Sequence, residues 1–363
     1  MTRSVTRQAP GKLYVAGEYA VVESGHSALL VAVDRFITVT AAAADAPRAR
    51  VSSALYDGGL RTWERDAQGV AVPSDGEVDY VISALRTVEE LVRERGREPA
   101  MVHLDVISEL DDASGRKLGL GSSAAVTVAT VRAVAAFHDL ELSDLDVFKT
   151  ALLASDAVEP VGSGGDLAAS SFTGWVYYSS PDRQWLRRRR REAGVAELLA
   201  ADWPGLAVRR MRQTDGIDLL VGWTGEPAST SRLVSHVQAH TQGPAPVGGY
   251  TQFLSDSDTC LAGLVRALEA ADLEEVCRRV GEHRRLLAGL ARLSGVVIET
   301  PELGRLVEIA CAHGAAAKSS GAGGGDCGIA LHGPATSTAA LRADWAAAGI
   351  VPLDLTVWTQ EAS

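Results

Sequence analysis

Short β-rich runs alternate along this chain with longer stretches of helical spacing. Residues 9–40 read as a strand pair. Leu13 to Val22 is rich in aromatic and β-branched positions, breaks at Ser24-Gly25-His26 and resumes from Ala28 to Val33. β-rich sequence continues to about Val72. From Asp79 to Arg95 the apolar positions Val81, Leu85, Val88, Leu91 and Val92 recur at helical spacing. Met101 to Ile107 alternates as a half-buried strand does. A long apolar helix is predicted up to Phe137, another over Leu145–Ser155, and a strand over Trp175–Tyr178. Trp203-Pro204-Gly205 interrupts the pattern and predicts a division into residues 1–205 and 206–363. Beyond it come a strand at Asp218–Trp223, mostly helical sequence over 250–315, a strand at Cys327–Leu331 and a last strand at Leu353–Trp358. No fixed-period repeat is present. Strands and helices mixed in both halves predict two α+β domains.

Composition narrows the function classes. With 363 residues, the chain exceeds what one core usually supports, in keeping with two domains. A net charge of −11 makes it a poor general binder of nucleic acid or of an anionic membrane. No apolar run approaches the ~18 residues of a membrane span, and the first ten residues lack the apolar stretch of a signal peptide. Cys260, Cys277, Cys311 and Cys327 form no C-x-x-C pair, so neither a zinc site nor a disulfide framework is expected, and a reducing cytoplasm fits best. Lysine is nearly absent. Lys12, Lys117, Lys149 and Lys318 stand against 31 arginines, and three of the four lie in or beside glycine-rich segments, where a compact ammonium does what a guanidinium fork cannot.

Those segments carry the chemistry. The sequence G-x-x-x-x-G-K-[ST] is absent, as is G-x-S-x-G. The single G-x-G-x-x-G, Gly323 to Gly328, precedes a strand instead of opening a helix, which excludes a dinucleotide fold. Gly119-Leu120-Gly121-Ser122-Ser123-Ala124 opens the long apolar helix. Its glycines permit close backbone approach, and the helix N-terminus presents unpaired N–H groups to an anion. Ser122 or Ser123 can cap the helix or bind the magnesium carried by a nucleotide, and Arg116 and Lys117 just upstream favour phosphate. Gly162-Ser163-Gly164-Gly165-Asp166 offers flexible backbone, hydroxyls and one carboxylate. Asp156 and Glu159 are candidate magnesium ligands, and each reads equally as a solvated charge. The glycines of Lys318 to Asp326 cost too much chain entropy for an idle loop and predict close approach of a ligand or of other chain. His236 and His240 have metal-ligand spacing without a third ligand, so a surface helix is expected. Arg187–Arg191 reads as a solvated strand edge or loop. Ser229 and Thr230 read as a helix cap or as a phosphate contact.

Three stretches in this order, Pro10-Gly11-Lys12-Leu13-Tyr14-Val15-Ala16-Gly17-Glu18-Tyr19, then Gly119 to Ala124, then Lys318 to Gly328, resemble the GHMP kinase superfamily over nearly the whole chain. Gly17-Glu18-Tyr19, in place of the Gly-Glu-His usual in mevalonate kinases, is similar to the bacterial-type phosphomevalonate kinase group, as is Gly222 to Thr230. The resemblance implies an α+β fold. An N-terminal domain like ribosomal protein S5 domain 2 and a C-terminal ferredoxin-like domain would meet at a cleft holding the active site. It implies ATP and Mg2+ as cofactors and 5-phosphomevalonate as acceptor, with mevalonate kinase or a non-catalytic nucleotide-binding regulator as the alternatives. It assigns Lys12, Lys117 and Asp166 to catalysis, with Lys12 beside Asp166. Residues 119–124 would hold the ATP phosphates, with Ser122 or Ser123 on magnesium. Lys12, Tyr19, Ser163, Gly164, Asp166, Ser229, Thr230 and Gly323 would meet the acceptor. Where mevalonate kinases carry a magnesium-binding Glu this chain has Ser155, next to Asp156, which leaves the acidic ligand unassigned. Oligomeric state is open, a homodimer included.

Overall fold

The computed structural model describes residues 3–54, 56–112, 114–212, 216–226, 230–241 and 248–360. The first half contains strands β1 (Ser4–Ala16), β2 (Ser27–Ala43), β3 (Arg48–Ser53), β4 (Leu60–Arg65), β5 (Ala71–Pro73), β6 (Val102–Ser108), β7 (Trp175–Ser179) and β8 (Ala207–Met211). Its helices are α1 (Tyr80–Glu94), α2 (Ser122–Phe137), α3 (Asp144–Val158), α4 (Gly165–Phe172), α5 (Arg183–Arg190) and α6 (Val195–Ala200). The second half contains β9 (Asp218–Trp223), α7 (Thr230–Thr241), α8 (Gly248–Glu269), α9 (Leu273–Ser294), α10 (Pro301–Ala312), β10 (Ala316–Ser319), β11 (Cys327–His332), α11 (Thr338–Ala347) and β12 (Val351–Leu353).

The eight strands of the first half form one sheet in the order β5-β4-β3-β6-β2-β7-β8, with β1 paired to β2. The long strand β2 organises it. One edge of β2 holds β7 along residues 27–31 and β6 along 37–43, while the other runs antiparallel to β1. Helix α2 is apolar nearly all round and is correspondingly buried, packing against β1, β2 and α1. Helix α1 starts where the sequence predicts, because Asp79 caps it by accepting from the Ile82 amide at 2.9 Å. Helix α3 starts with a capping box between Ser143 and Asp146.

The smaller sheet has the order β10-β11-β9-β12, antiparallel throughout. With its helices this is the βαββαβ plan of a ferredoxin-like domain, and Trp345, Leu306 and Leu341 fill the core beneath it. A third apolar cluster lies where the halves meet. It brings Tyr19 and Ala20 against Val237, Tyr250, Phe253, Leu290 and Ala322.

Four expectations need correction. The first strand ends at Ala16, because the backbone turns through Gly17 (φ 92°) and Tyr19 (φ 64°) into a short 3-10 turn at Ala20–Val22. The tail strand is β12, ending at Leu353, with an isolated bridge between Val357 and Val33 beyond it. Arg187–Arg190 belong to α5, whose N-terminus Asp182 caps at the Trp185 amide, 2.8 Å away. Strand β8 lies beyond the expected division at 205 yet pairs with β7 in the larger sheet.

Candidate active site

A cavity of about 400 Å³ lies at the junction of the two halves. Its walls come from β1 and the turn after it, the loop into α2, the C-terminal end of α3, the loop into α4, the start of α5, and Gly321, Ala322 and Asp326.

The loop 119–124 forms one wall, all six of its residues facing the cavity. Gly121 is in the left-handed region just before α2, and no side chain caps the helix, so its first N–H groups are left to a ligand. Gly119 has φ 76°, and a Cβ there would lie 2.6 Å from the Asp326 side chain. Cys327 donates its Sγ–H to Leu118 O at 3.1 Å, and the Asp326 carbonyl accepts from the Thr224 amide at 3.0 Å. The third glycine segment therefore backs the loop directly.

Lys12 is buried beside the loop. Its amide donates to Leu120 O at 2.8 Å, its Nζ lies 3.5 Å from Gly119 O, and Nζ sits 5.5 Å from the centre of the Tyr14 ring. Lys117 is exposed and reaches the same cavity. Asp166 lies in the first turn of α4 and faces the cavity, with its Oδ1 accepting from the Leu167 amide at 3.0 Å. Among the described residues no ion pair joins Lys12 to Asp166, so the expected direct pairing is absent and the two groups share a cavity instead.

Ser163 and Gly164 line the cavity as expected. The Tyr19 ring does too, but its hydroxyl donates to Ala322 O at 2.6 Å, which makes it a wall fixed to the third segment. Burial, and then the nearby Glu18 charge, push its pKa up and keep that hydroxyl protonated. Gly323 does not face the cavity. A Cβ there would lie 2.0 Å from Ile298 O, so its glycine serves packing. Ser229 lies outside the described residues, as does the side chain of Thr230.

Tyr14 and Tyr80 were not singled out from sequence, and the structure also places Glu159, Asp156, Lys318 and Lys149. The Tyr14 hydroxyl is 3.1 Å from Ser163 Oγ; burial and the Asp166 charge raise its pKa. Tyr80 donates to Glu159 Oε2 at 2.9 Å, and both line the cavity. Asp156 is held by Arg183 and Arg187 at 2.7 and 3.0 Å, which removes it from the candidate magnesium ligands. Lys318 is fully buried and paired with Glu18, so its place is structural. Lys149 donates to Leu199 O and Ala201 O at 2.8 and 2.7 Å, away from the site.

Two family descriptions match. The GHMP kinases N terminal domain covers residues 79–174, and the GHMP kinases C terminal domain covers 264–350. The chain is 46% identical to a phosphomevalonate kinase of Streptomyces sp. (strain CL190), over 98% of this chain and 97% of that protein. The chain belongs to the GHMP kinase family.

A more distant GHMP kinase, the mevalonate kinase of Pyrococcus abyssi (strain GE5 / Orsay), is 28% identical over 91% of this chain and 89% of its own. The structure of Streptococcus pneumoniae phosphomevalonate kinase in complex with phosphomevalonate and AMPPNP superposes with a TM-score of 0.84. It is 31% identical, over 97% of this chain and 99% of that one. The two-domain architecture described above is thus the GHMP kinase fold. Among the described residues, no helix is long and apolar enough to cross a membrane.

Proposed function

We propose that this cleft transfers the γ-phosphate of ATP to (R)-5-phosphomevalonate, giving 5-diphosphomevalonate and ADP. The observation that carries the reading is one cavity with two ammonium groups, Lys12 and Lys117, beside an uncapped helix N-terminus. Such a site suits two anions that must be brought together. Like charges ~4 Å apart repel by about 4 kcal/mol per unit pair at an effective dielectric of 20, so cations are the first requirement. Similarity to the Streptomyces enzyme over nearly the full length supports the choice of acceptor.

In this reading the loop 119–124 binds the ATP phosphates through its amides and the start of α2. Lys12 sits against the transferring group and Lys117 against the acceptor phosphate. A phosphomonoester is mostly dianionic at neutral pH, with its second pKa near ~6, and needs no strong base. Asp166 therefore orients the acceptor with Ser163 and Gly164. The Ser122 and Ser123 hydroxyls, at a helix start that neither caps, together with Glu159 across the cavity, are oxygen donors of the type Mg2+ takes. When bound, the ion would neutralise phosphate charge. Reaction in a reducing cytoplasm remains part of the proposal.

The test is ADP release with Mg-ATP, offering phosphomevalonate and mevalonate in parallel. Turnover confined to phosphomevalonate is expected. Turnover confined to mevalonate would overturn the acceptor and give Asp166 the role of general base toward an alcohol. Silence with both, in protein that binds ATP, would overturn the reaction.

A further inference from the structure

Lys117 reaches the cavity from the exposed chain between β6 and α2, and among the described residues no hydrogen bond or ion pair holds its ammonium. A free lysine samples many rotamers, whereas bringing two phosphates together needs a charge in one place. What localises Lys117 is the backbone that carries it. That backbone is held by the residue before it, Arg116, which does not line the cavity and so is turned away from the phosphates that the sequence gave it to share with Lys117.

The chain folds back on itself here. The Asp112 amide donates to Arg116 O at 2.8 Å, the Leu118 amide donates to Leu110 O at 3.1 Å, and Asp111 bridges to Lys117. In extended pairing, successive side chains point to opposite faces. Lys117 takes the cavity face and Arg116 the other, where its guanidinium is engaged on every side. Nε lies 2.9 Å from Asp112 Oδ2 and 3.1 Å from Ser114 Oγ, and Nη2 lies 2.8 Å from the same carboxylate oxygen. Nη1 donates to Gly225 O at 3.3 Å, and Cζ stands 4.9 Å from the centre of the Trp223 ring. The Ser114 hydroxyl and then the Arg116 amide hold the Asp112 carboxyl well below the usual carboxylate range, so it stays charged.

Asp112 and Ser114 belong to the first half of the chain, Trp223 and Gly225 to the second, so Arg116 spans the two. Its anchor there is firm. Trp223 is buried at the end of β9. The Thr224 amide and hydroxyl both donate to Asp326 O at 3.0 Å, and the Asp326 amide donates to Glu226 O at 2.8 Å. Asp326 in turn stands against Gly119. Arg116, Trp223, Asp326 and Gly119 thus close a circuit around Lys117, which lies between its two ends.

We propose that Arg116 is a positioning residue, which sets Lys117 at the acceptor phosphate by pinning the chain before the phosphate loop to Trp223 and Gly225 of the other half. The proposal rests on the reading that places Lys117 against that phosphate. It explains why neighbouring positions carry different cations. A planar fork can lie on an indole and grip a carboxylate at once, which an ammonium cannot, while a compact ammonium suits the cavity.

The experiment is steady-state kinetics with Mg-ATP and 5-phosphomevalonate on the wild type, R116Q, R116K, W223F, K117Q and the double variant R116Q/K117Q. R116Q is expected to lower kcat/KM for phosphomevalonate by about 10- to 100-fold, the scale of a misplaced catalytic group, with a smaller change in KM for ATP. R116K keeps the charge but not the fork and should fall nearly as far. W223F keeps an aromatic face and should stay closer to the wild type. The double variant decides. If Arg116 acts through Lys117, R116Q/K117Q is no slower than K117Q. Losses that multiply would overturn the proposal, as would a wild-type R116Q or a rise in KM for ATP as large as that for phosphomevalonate, which would assign Arg116 to the nucleotide loop. If R116Q does not fold, R116K and R116K/K117Q decide on the same criterion. A K117Q protein at the wild-type rate overturns the reading of Lys117 and this proposal with it. A damaged K117Q beside an undamaged R116Q overturns the positioning role alone.

Discussion

Lys12 and His283 are both buried, and they carry opposite kinds of information. Lys12 contacts a carbonyl and an aromatic face, so its charge is available to a phosphate. Replacing it with Met is expected to lower turnover by on the order of a hundredfold, as for loss of a transition-state donor. Steady-state kinetics of a folded Lys12→Met protein at near wild-type rate would remove it from the mechanism. His283, on α9, accepts the Gly17 amide through Nε2 at 2.8 Å. Burial, followed by the Lys318 charge, lowers its pKa to about 4, against an opposing contribution from Glu18. The native state therefore resists a proton that the unfolded chain takes up near pH 6.5. Unfolding free energy should be at its plateau above that pH and fall as pH drops toward 4, at a slope of up to one proton. Urea titrations across this range on the wild type and His283→Gln measure it; equal slopes would show that another group is responsible.

At the scale of elements, the glycine loop has its shape because of what stands behind it. Gly119 combines a left-handed φ with a Cβ position 2.6 Å from Asp326. Gly119→Ala therefore costs about 1–2 kcal/mol in backbone conformation and must also displace the third segment. A rise of at least tenfold in KM for ATP is expected, with a smaller change for the acceptor, since the proposed reading gives this loop to the nucleotide. Equal effects on both would mean that the loop is not a separate nucleotide wall. This loop was legible in the sequence because left-handed backbone, close approach and an uncapped helix start all demand residue types that can be read directly. Helix α1 was legible for a similar reason, its stripe and its Asp79 cap being local. Helix α5 was not: an arginine run has no apolar stripe, and its arginines are partnered by groups on other elements, Asp156, Glu90 and Glu197 among them. Tyr80 was missed likewise, because it meets Glu159, itself a candidate from the sequence, only across the fold. Gly17-Glu18-Tyr19 was read as strand because its neighbours favour β structure, whereas Tyr19 is held at φ 64° by contacts with the far half of the chain.

Those contacts decide how the whole molecule holds together. Glu18 follows the first strand, and Lys318 lies in β10 of the other half. Lys318 donates to Glu18 Oε1 and, at 2.6 Å, to Ser319 O; the Gly321 amide reaches Glu18 Oε1 at 3.3 Å. Ser320 Oγ accepts the Tyr14 amide at 2.9 Å and donates to Tyr14 O at 3.0 Å. The first motif and the third segment are thereby stitched side by side at the floor of the cleft. Lys318→Met leaves the buried Glu18 carboxylate without its cation and is expected to destabilise the protein by about 3–5 kcal/mol. The double variant Glu18→Gln/Lys318→Met removes the stranded charge and should recover a large part of that loss, because a buried ion pair is worth far less than the penalty for breaking it. Denaturant unfolding of the four proteins forms a double-mutant cycle. Additive losses would show that Glu18 finds another cation or is neutral in the folded state. Strong non-additivity would show that this buried pair couples the two halves, so that the cleft is built around a fixed floor and any closing motion falls to its other walls.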